Sequence, residues 1–256
     1  MGTVPPIKTD RVDRLEVRVY GDREALGAAA GEDVTATMFD LLAHEDRIRM
    51  VFAAAASQLE LLRTLTHTPG IPWSRVTAFH LDEYLDLPPQ APQQFGAFLW
   101  KYLFQHVAPG EVHLIDGAAE IEAECSRYAD LLRAAPIDIV CLGIGENGHL
   151  AFNDPPVADF SDPAVIKPVN LDLESRRQQV NDGAFSTLAA VPARALTLTI
   201  PTLMSGKRLF CVVPGERKRA AVRAALSGPI ASACPASVLR RHPNCVLYLD
   251  ADSYGV

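Results

Sequence analysis

An apolar run that stops abruptly at a glycine-rich loop limits the folds open to this chain. Residues 137–142 read Ile-Asp-Ile-Val-Cys-Leu, and residues 143–155 continue as Gly-Ile-Gly-Glu-Asn-Gly-His-Leu-Ala-Phe-Asn-Asp-Pro. A short apolar run bounded by such turn residues is typical of a buried strand. Gly143, Gly145 and Gly148 permit backbone torsions and a close ligand approach that other residues resist. The pattern predicts a functional loop at the carboxyl end of a parallel strand.

Ionisable side chains accompany this loop and one other. His149 is the side chain in the loop that can exchange a proton near neutral pH, and Asp154 follows as a carboxylate able to orient it. Asp82 and Glu83 follow a second apolar run, at residues 76–81. Each feature alone also fits a structural role, such as a helix cap, a solvated turn or a packed histidine. In an open parallel sheet both loops face one crevice, which favours general acid–base chemistry.

Strand-like and helix-like segments alternate along nearly the whole chain. Apolar runs predict strands at residues 49–55, 76–81, 111–115, 137–142, 195–200, 208–213 and 244–249. Helical spacing predicts helices at residues 22–44, 58–66, 94–105, 121–134 and 216–226. This alternation predicts an α/β fold of three layers: a mostly parallel, Rossmann-like sheet with helices on both faces.

A few segments fall outside the alternation. Residues 14–20 alternate polar and apolar side chains, which predicts a half-buried edge strand. Residues 155–168 are rich in Asp and Pro and predict a surface excursion. Residues 178–183 are polar and not helical in pattern, so they are either a plain loop or a lid over the substrate. Trp73 and Trp100 stand in apolar surroundings, and both are predicted to lie in the core.

Composition narrows the class of protein. The chain has 256 residues, 48% of them hydrophobic, and one domain spanning residues 1–256 is the simplest reading. A formal net charge of -7 disfavours nucleic acid or an anionic membrane as partner, so a site for an anion has to be locally basic. The five cysteines lack metal or disulfide spacing, and the start lacks a signal-peptide pattern. We therefore expect a cytoplasmic protein without a zinc site.

Two motifs resemble those of the glucosamine-6-phosphate deaminase/isomerase family, whose wider group includes 6-phosphogluconolactonases. Residues 79–84, Phe-His-Leu-Asp-Glu-Tyr, resemble the catalytic-aspartate signature, and residues 143–155 resemble the histidine loop. The resemblance extends from about residue 49 to about residue 247. The Asp-Glu-Tyr sequence favours the deaminase/isomerase branch, because the lactonase branch carries Asp-Glu-Arg there. The resemblance implies conversion of an amino-sugar 6-phosphate to a ketose 6-phosphate and ammonia.

The resemblance also implies a role for each matching residue. His149 would open the pyranose ring by moving a proton at the ring oxygen, with Asp154 as its carboxylate partner. Asp82 would carry a proton between C2 and C1 of the open sugar, and Glu83 stands beside it in the motif. The implied chemistry needs no metal and no cofactor. The implied partner is a small-molecule sugar phosphate, and a homo-oligomer is possible because the family includes monomers, dimers and hexamers.

Asn147 departs from the family pattern, which typically has an aspartate beside the catalytic histidine. An asparagine can orient an imidazole but cannot stabilise its charged form, unless Asp154 or Glu146 compensates. Some relatives that act on galactosamine 6-phosphate resemble this Asn-Gly-His form. Gly145 and Gly148, which flank Asn147, are expected to border the substrate.

The phosphate site departs as well. The family's Gly/Thr-rich turn is replaced by residues 52–58, Phe-Ala-Ala-Ala-Ala-Ser-Gln, in which Ser57 still offers a hydroxyl and an N–H at a helix N-terminus. The family's phosphate-binding arginine falls on Gln179, with Arg177 nearby as a possible substitute. Lys218 matches the lysine that binds phosphate in the family. The alternative interpretation is that Lys218 is a solvated lysine in the first turn of a helix, without a role in binding.

Two alternative functions remain open at this point. One is hydrolysis of 6-phosphogluconolactone, in which His149 would activate water. The other is a sugar-phosphate sensor, because the fold also resembles the effector domain of sugar-responsive repressors. About twenty residues precede the first predicted helix, which is too short for a helix-turn-helix module, and a sensor is expected to lose the histidine and aspartates that remain here.

Overall fold

The computed structural model describes residues 4–88, 90–155 and 157–256. Residues 1–3, at the start that lacks a signal-peptide pattern, Pro89, and Pro156, in the predicted surface excursion, lie outside those ranges. The strands of the described part are β1 (Lys8–Val12), β2 (Leu15–Tyr20), β3 (Ile48–Phe52), β4 (Val76–His80), β5 (Asp82–Tyr84), β6 (Glu111–Val112), β7 (Ile139–Leu142), β8 (Ile166–Asn170), β9 (Arg194–Leu198), β10 (Arg208–Val213) and β11 (Cys245–Asp250). The α-helices are α1 (Arg23–Leu42), α2 (Leu59–His67), α3 (Phe95–Leu99), α4 (Ile121–Arg133), α5 (Leu173–Asn181), α6 (Ile200–Met204), α7 (Arg219–Ser227) and α8 (Ala251–Tyr254).

The large sheet has the strand order β1-β2-β11-β10-β7-β3-β4-β6. Only the hairpin β1–β2 is antiparallel; every other neighbouring pair runs parallel. The predicted strand before the glycine loop is β7, and it lies between β10 and β3 in the interior of the sheet. The prediction of a mostly parallel α/β sheet is therefore confirmed.

Alternate residues of the parallel strands pack on opposite faces, which gives the three layers. In β10, Leu209, Cys211 and Val213 belong to a core shared with α4, α6 and α7, whereas Phe210 and Val212 belong to a core shared with α1, α2 and α3. Strands buried on both faces read as continuous apolar runs, which is why the sequence pattern located them.

A second, smaller sheet carries part of the site. β9 pairs antiparallel with β5 on one side and with β8 on the other. The prediction that residues 82–84 form a loop was therefore wrong. Two adjacent acidic residues are typical of a turn in a sequence, but here they belong to a short strand that pairs with β9. The predicted surface excursion also ends earlier than expected, because β8 begins at Ile166.

Three further expectations are corrected. Residues 14–20 do not form the edge, because β1 covers β2 and becomes the edge strand itself. Residues 178–181 are helical, since α5 extends to Asn181. Trp100 is 55% exposed rather than in the core, whereas Trp73 is buried as predicted. Trp100 begins a π-helical turn, Trp100–Phe104, which extends α3. Because a π-helical turn is wider than an α-helical one, the side chains that would lie on the core side of a regular α-helix are rotated away from it.

Local capping explains where the longest helix starts. The Asp22 side chain accepts a hydrogen bond from the Ala25 N–H, as expected of an N-cap aspartate.

In the described ranges, no helix combines the length and the hydropathy that a bilayer crossing requires.

Candidate active site

A cleft of about 510 Å³ opens at the carboxyl edge of the large sheet. One wall is the turn after β3, a second is the loop after β7, and a third is formed by α3 with its π-helical extension. The end of α5 and the turn before α7 close the far side. Parallel strands all point their carboxyl ends to this edge, which is where ligands bind in open α/β sheets.

The structure brings most of the predicted site residues to this cleft. Those that line it are Ser57, Asp82, Gly145, His149, Gln179 and Lys218. Asn147, Gly148 and Asp154 belong to the same loop but do not line the cleft; Asn147 and Asp154 contact His149. Glu83 and Arg177 do not line the cleft.

His149 and Asp154 form a buried pair. His149 Nδ1 lies 3.1 Å from Asp154 Oδ1. The hydroxyl of Ser175, on α5, lies 2.8 Å from the same Nδ1 and also donates to Asp154 Oδ1. Burial alone would raise the pKa of Asp154, but the hydrogen bonds from His149, Asn147 and Ser175 bring it below its ordinary value. The carboxylate is therefore held ionised against the imidazole.

Asn147 acts on the loop rather than on the imidazole ring. Its side-chain oxygen accepts a hydrogen bond from the His149 backbone N–H at 3.1 Å. Its amide nitrogen donates to Asp154 Oδ1 at 2.9 Å. Asn147 therefore fixes the backbone that carries His149 and the carboxylate that faces its ring.

The glycines of the loop are required by close packing. A Cβ on Gly145 would lie 2.1–2.3 Å from three atoms of the His149 ring. Gly148 has a φ of +86°, and a Cβ there would lie 2.9 Å from the Cys234 sulfur. The first glycine makes room for the imidazole, and the second permits the turn.

Asp82 places a carboxyl group in the cleft from the small sheet. It is the first residue of β5, and it is buried apart from its cleft-facing side. Burial, and secondly the neighbouring charge of Glu83, raise the pKa of Asp82 well above its ordinary value. A carboxylate that binds its proton more tightly than usual is suited to accept a proton from carbon.

Glu83 points into the wall rather than into the cleft. Its carboxylate accepts hydrogen bonds from the backbone N–H groups of Tyr84, Phe95 and Gly96 at 2.9, 3.0 and 2.9 Å. Two of these groups belong to the first turn of α3, so Glu83 tethers the helix that forms one side of the cleft. Burial raises the pKa of Glu83 to about 7, against the opposing effect of the three hydrogen bonds.

This raised pKa predicts how stability depends on pH. Between the ordinary glutamate value and about 7, the folded protein binds the Glu83 proton more tightly than the unfolded chain. Lowering the pH from about 7.5 to about 5.5 is therefore expected to add about 1–3 kcal/mol from Glu83 to the free energy of unfolding, whereas the lowered pKa values of the buried His80 and His242 act in the opposite direction. Asp82 acts in the same direction, and Asp154 opposes it only at lower pH.

Urea unfolding at the two pH values measures this effect. Glu83→Gln supplies the matched variant, because glutamine keeps the volume but does not titrate. The stability of the wild type relative to this variant should rise on acidification, because His80 and His242 act equally in both proteins. A difference that stays constant or falls would contradict the assignment.

Lys218 lines the cleft on its far side, in the turn before α7. It is the last residue of a 3₁₀ turn before α7, and its side chain is buried. Its ammonium makes no hydrogen bond or ion pair with the residues that the structure describes. Burial lowers the pKa of Lys218, while Asp182 and Glu146 partly oppose that effect. This ammonium faces the cleft, so the reading of Lys218 as a solvated surface lysine was wrong.

Ser57 lies at the same cleft, in the 3₁₀ turn Ala56–Gln58 that precedes α2. The Gln58 amide holds this turn in place: it donates to the carbonyl of Val212 at 3.2 Å and to the Ser57 hydroxyl at 3.2 Å. The alanines that precede Ser57 add an apolar surface to this side of the cleft.

The two candidates for the missing arginine differ in placement. Gln179 is buried and lines the cleft. Arg177 is half exposed and forms an ion pair with Glu174 on the outer face of α5, so it is not available to the cleft. One further cation, Lys101 in the π-helical turn, lines the cleft and was missed from the sequence.

Ser175 was also missed, because a serine inside a polar helix gives no sequence signal of its own. The nearest signal was the helix start: Asp172 is the N-cap of α5, so Ser175 is the third residue of the helix.

For metal binding, residues 4–88, 90–155 and 157–256 contain no group of three or more His, Cys, Asp or Glu side chains arranged as ligands.

Comparisons with known proteins agree with this geometry. The family model described as glucosamine-6-phosphate isomerases/6-phosphogluconolactonase matches residues 21–247. A glucosamine-6-phosphate deaminase of Bacillus thuringiensis (strain Al Hakam) is 38% identical over 181 residues, which cover 70% of this chain and 67% of the relative. The same protein name and identity hold for a relative from Bacillus anthracis (strain A0248).

Solved structures give the same result. A monomeric glucosamine-6-phosphate deaminase superposes with a TM-score of 0.86 at 28% identity, covering 93% of this chain and 98% of that one. A 6-phosphogluconolactonase from Thermotoga maritima has a TM-score of 0.76 at 20% identity, over 92% of this chain and 99% of that one, which shows a shared fold. By its motifs, its cleft and its match over most of its length, this chain belongs to the glucosamine-6-phosphate isomerase/6-phosphogluconolactonase family.

Proposed function

We propose that this protein is an amino-sugar-6-phosphate deaminase/isomerase. Its substrate would be glucosamine 6-phosphate or galactosamine 6-phosphate, and its products the ketose 6-phosphate and ammonia. One observation carries the proposal: a single cleft presents the buried Asp82 carboxyl group, the paired imidazole of His149 and the ammonium of Lys218. The name of the 38% identical relatives supports it.

The first step is ring opening, which we assign to His149. The Asp154 carboxylate accepts the Nδ1–H of His149, which leaves Nε2 as the nitrogen that can exchange a proton with the sugar. His149 moves a proton between the anomeric hydroxyl and the ring oxygen, and the C1–O bond to the ring breaks to give the open aldehyde. Asn147 and Gly145 keep the imidazole in place during this transfer.

The second step is proton transfer along the carbon chain, which we assign to Asp82. Its carboxylate takes the proton from C2 of the open aldehyde, and the ammonium group on C2 gives one proton to the aldehyde oxygen, which leaves an enol with an amine on C2. Asp82 then returns its proton to C1 as the nitrogen lone pair forms the C=N bond, and water hydrolyses this imine to the ketone and ammonia. The wall tethered by Glu83 shields the enol intermediate from bulk water.

Ammonia release tests the proposal directly. Purified protein is given glucosamine 6-phosphate or galactosamine 6-phosphate, and ammonia is followed by a coupled dehydrogenase. Turnover of either epimer supports the deaminase and names the better substrate. A parallel assay with 6-phosphogluconolactone tests hydrolase activity, which the relatives below 25% identity support only through their fold. Binding of a sugar phosphate without any turnover would instead favour the sensor.

Lys218 gives a sharper prediction about the phosphate. Lys218→Met is expected to raise KM for the phosphorylated substrate by about 10- to 100-fold, because a charge-assisted contact is lost. It is also expected to raise the melting temperature, since the buried ammonium has no protein partner in the described residues. Lys207→Met is the matched control, because Lys207 pairs with Asp138 away from the cleft. An unchanged KM would remove Lys218 from the phosphate site.

We also propose that residues 1–256 act as one domain, because residues from Ala53 to Lys218 line one cleft. The free cysteines and a phosphorylated substrate fit a cytoplasmic setting. A homo-oligomer stays a prediction, and the deaminase with the TM-score of 0.86 is described as monomeric.

A further inference from the structure

Helix α5 holds the histidine loop at three points along one face. The Asp172 N–H donates to Asp154 Oδ2 at 3.1 Å. One turn later, the Ser175 hydroxyl contacts both His149 and Asp154. At the next turn, the Gln178 side-chain oxygen accepts the N–H of Glu146 at 2.8 Å. Positions three residues apart share a helix face, so a single rigid element fixes the loop.

Ser175 stands at the middle of these contacts and is 1% exposed. A hydroxyl has one proton to donate and two lone pairs to accept with. Here it donates to Asp154 Oδ1 and accepts from His149 Nδ1. Serines within helices commonly bond back to a carbonyl of the preceding turn. The Ser175 hydroxyl makes no such bond in the described residues, so its hydrogen bonds go to the His149–Asp154 pair.

The same Asp154 oxygen receives hydrogen bonds from Ser175, Asn147 and His149. A carboxylate that accepts more donors spreads its charge over them and attracts each proton less. If the serine donor were absent, Asp154 would interact with the imidazole more strongly and favour its protonated form. A histidine held protonated could not accept the proton that ring opening requires.

We propose that Ser175 is a positioning residue for His149: its hydroxyl anchors the His149–Asp154 pair to helix α5 and moderates the pull of the carboxylate on the imidazole. The part of this inference that concerns turnover rests on the proposed function, whereas the part that concerns His149 itself does not. Ser175 touches no reacting atom, so it acts through His149.

A substitution of Ser175 removes none of the other ionisable groups around His149. These are Asp154 and Glu146 in its own loop, Asp172 and Asp182 at the two ends of α5, Asp82 on β5, Lys218 before α7, and Cys234 beside Gly148. A shift in the titration of His149 in a Ser175 variant therefore reports the loss of the hydroxyl.

The test is an NMR titration of protein labelled with ¹⁵N at histidine, with His149→Gln used to assign the His149 ring signals. In Ser175→Ala, the titration midpoint of His149 is expected to move up by about one pH unit. Ser175→Thr keeps the hydroxyl and should bring the midpoint back toward the wild-type value. Thr202→Val is the control: it removes a hydrogen bond from a buried hydroxyl to the Val165 carbonyl, outside the cleft, and should leave His149 unchanged.

Kinetics supply the second readout, with glucosamine 6-phosphate as substrate. In Ser175→Ala, kcat is expected to fall by about 10- to 100-fold with KM within threefold, because a misplaced catalytic group lowers the rate rather than the affinity. If Ser175→Ala does not fold, Ser175→Cys takes its place, since a thiol is a weak donor of similar size. A His149 midpoint that stays unmoved, or that moves equally in Thr202→Val, overturns the inference. Absence of turnover in the wild type would overturn the proposed function and leave the NMR result to decide the role of Ser175.

Discussion

Asp82→Asn is expected to lower kcat for ammonia release by about 10³-fold. Asparagine has nearly the same shape as aspartic acid, but it cannot take a proton from C2. Folding should not suffer, because the pKa of Asp82 is raised by burial and the neutral side chain fits the site better than the charged one. The fold of the variant is checked by its melting temperature, which should equal or exceed that of the wild type.

Asp86→Asn is the matched control for this substitution. Asp86 lies four residues further along, is exposed, and pairs with Arg194 outside the main cleft. A label-transfer experiment adds specificity: with substrate deuterated at C2 and H₂O as solvent, the wild type should carry deuterium to C1 of the product, and Asp82→Asn should not. Retention of more than a tenth of the wild-type rate in Asp82→Asn would mean that another group moves the proton.

Gly145→Ala is expected to lower kcat by about 10²-fold, the scale of loss that a displacement of about 1 Å can cause. The added Cβ would lie 2.1–2.3 Å from the His149 ring, so the imidazole has to leave its place beside Asp154. The loss should appear in kcat and only weakly in KM, since the side of the cleft that carries Lys218 is unchanged. Steady-state kinetics with the preferred epimer measure both constants.

Gly21→Ala is the control for this glycine. A Cβ on Gly21 would meet no atom within 4 Å, so that variant should keep full activity. The melting temperatures of the two variants separate a local displacement of His149 from a general loss of folding. Wild-type kinetics in Gly145→Ala would show that His149 does not need its observed position.

The sequence alone predicted the large sheet because its strands are buried on both faces and read as apolar runs. It did not predict the small sheet: β5 has three residues, two of them acidic, and its pairing with β9 joins positions more than a hundred residues apart. The same limit applies to α5, whose polar sequence hides a face that packs against the histidine loop.

The candidate site, like the fold, was predicted from the sequence only in part. The glycine loop and Asp82 were found because their motifs are local. The direction of Glu83 was not, because neighbouring residues of a strand point to opposite sides and the phase of β5 is set by its partner. Ser175 was missed because its contact with His149 spans 26 residues and depends on how α5 docks.

The proposed proton carriers are borne by two different sheets. Asp82 belongs to the small sheet, whereas His149 follows β7 of the large one. Two hydrogen bonds join the histidine loop to the small sheet: the Phe152 N–H donates to the Thr197 hydroxyl at 3.0 Å, and the Asn153 amide donates to the Leu198 carbonyl at 2.8 Å. Because these bonds tie the loop to β9, a substitution on β9 is expected to change the distance between the two proposed proton carriers while the parallel strands stay in register.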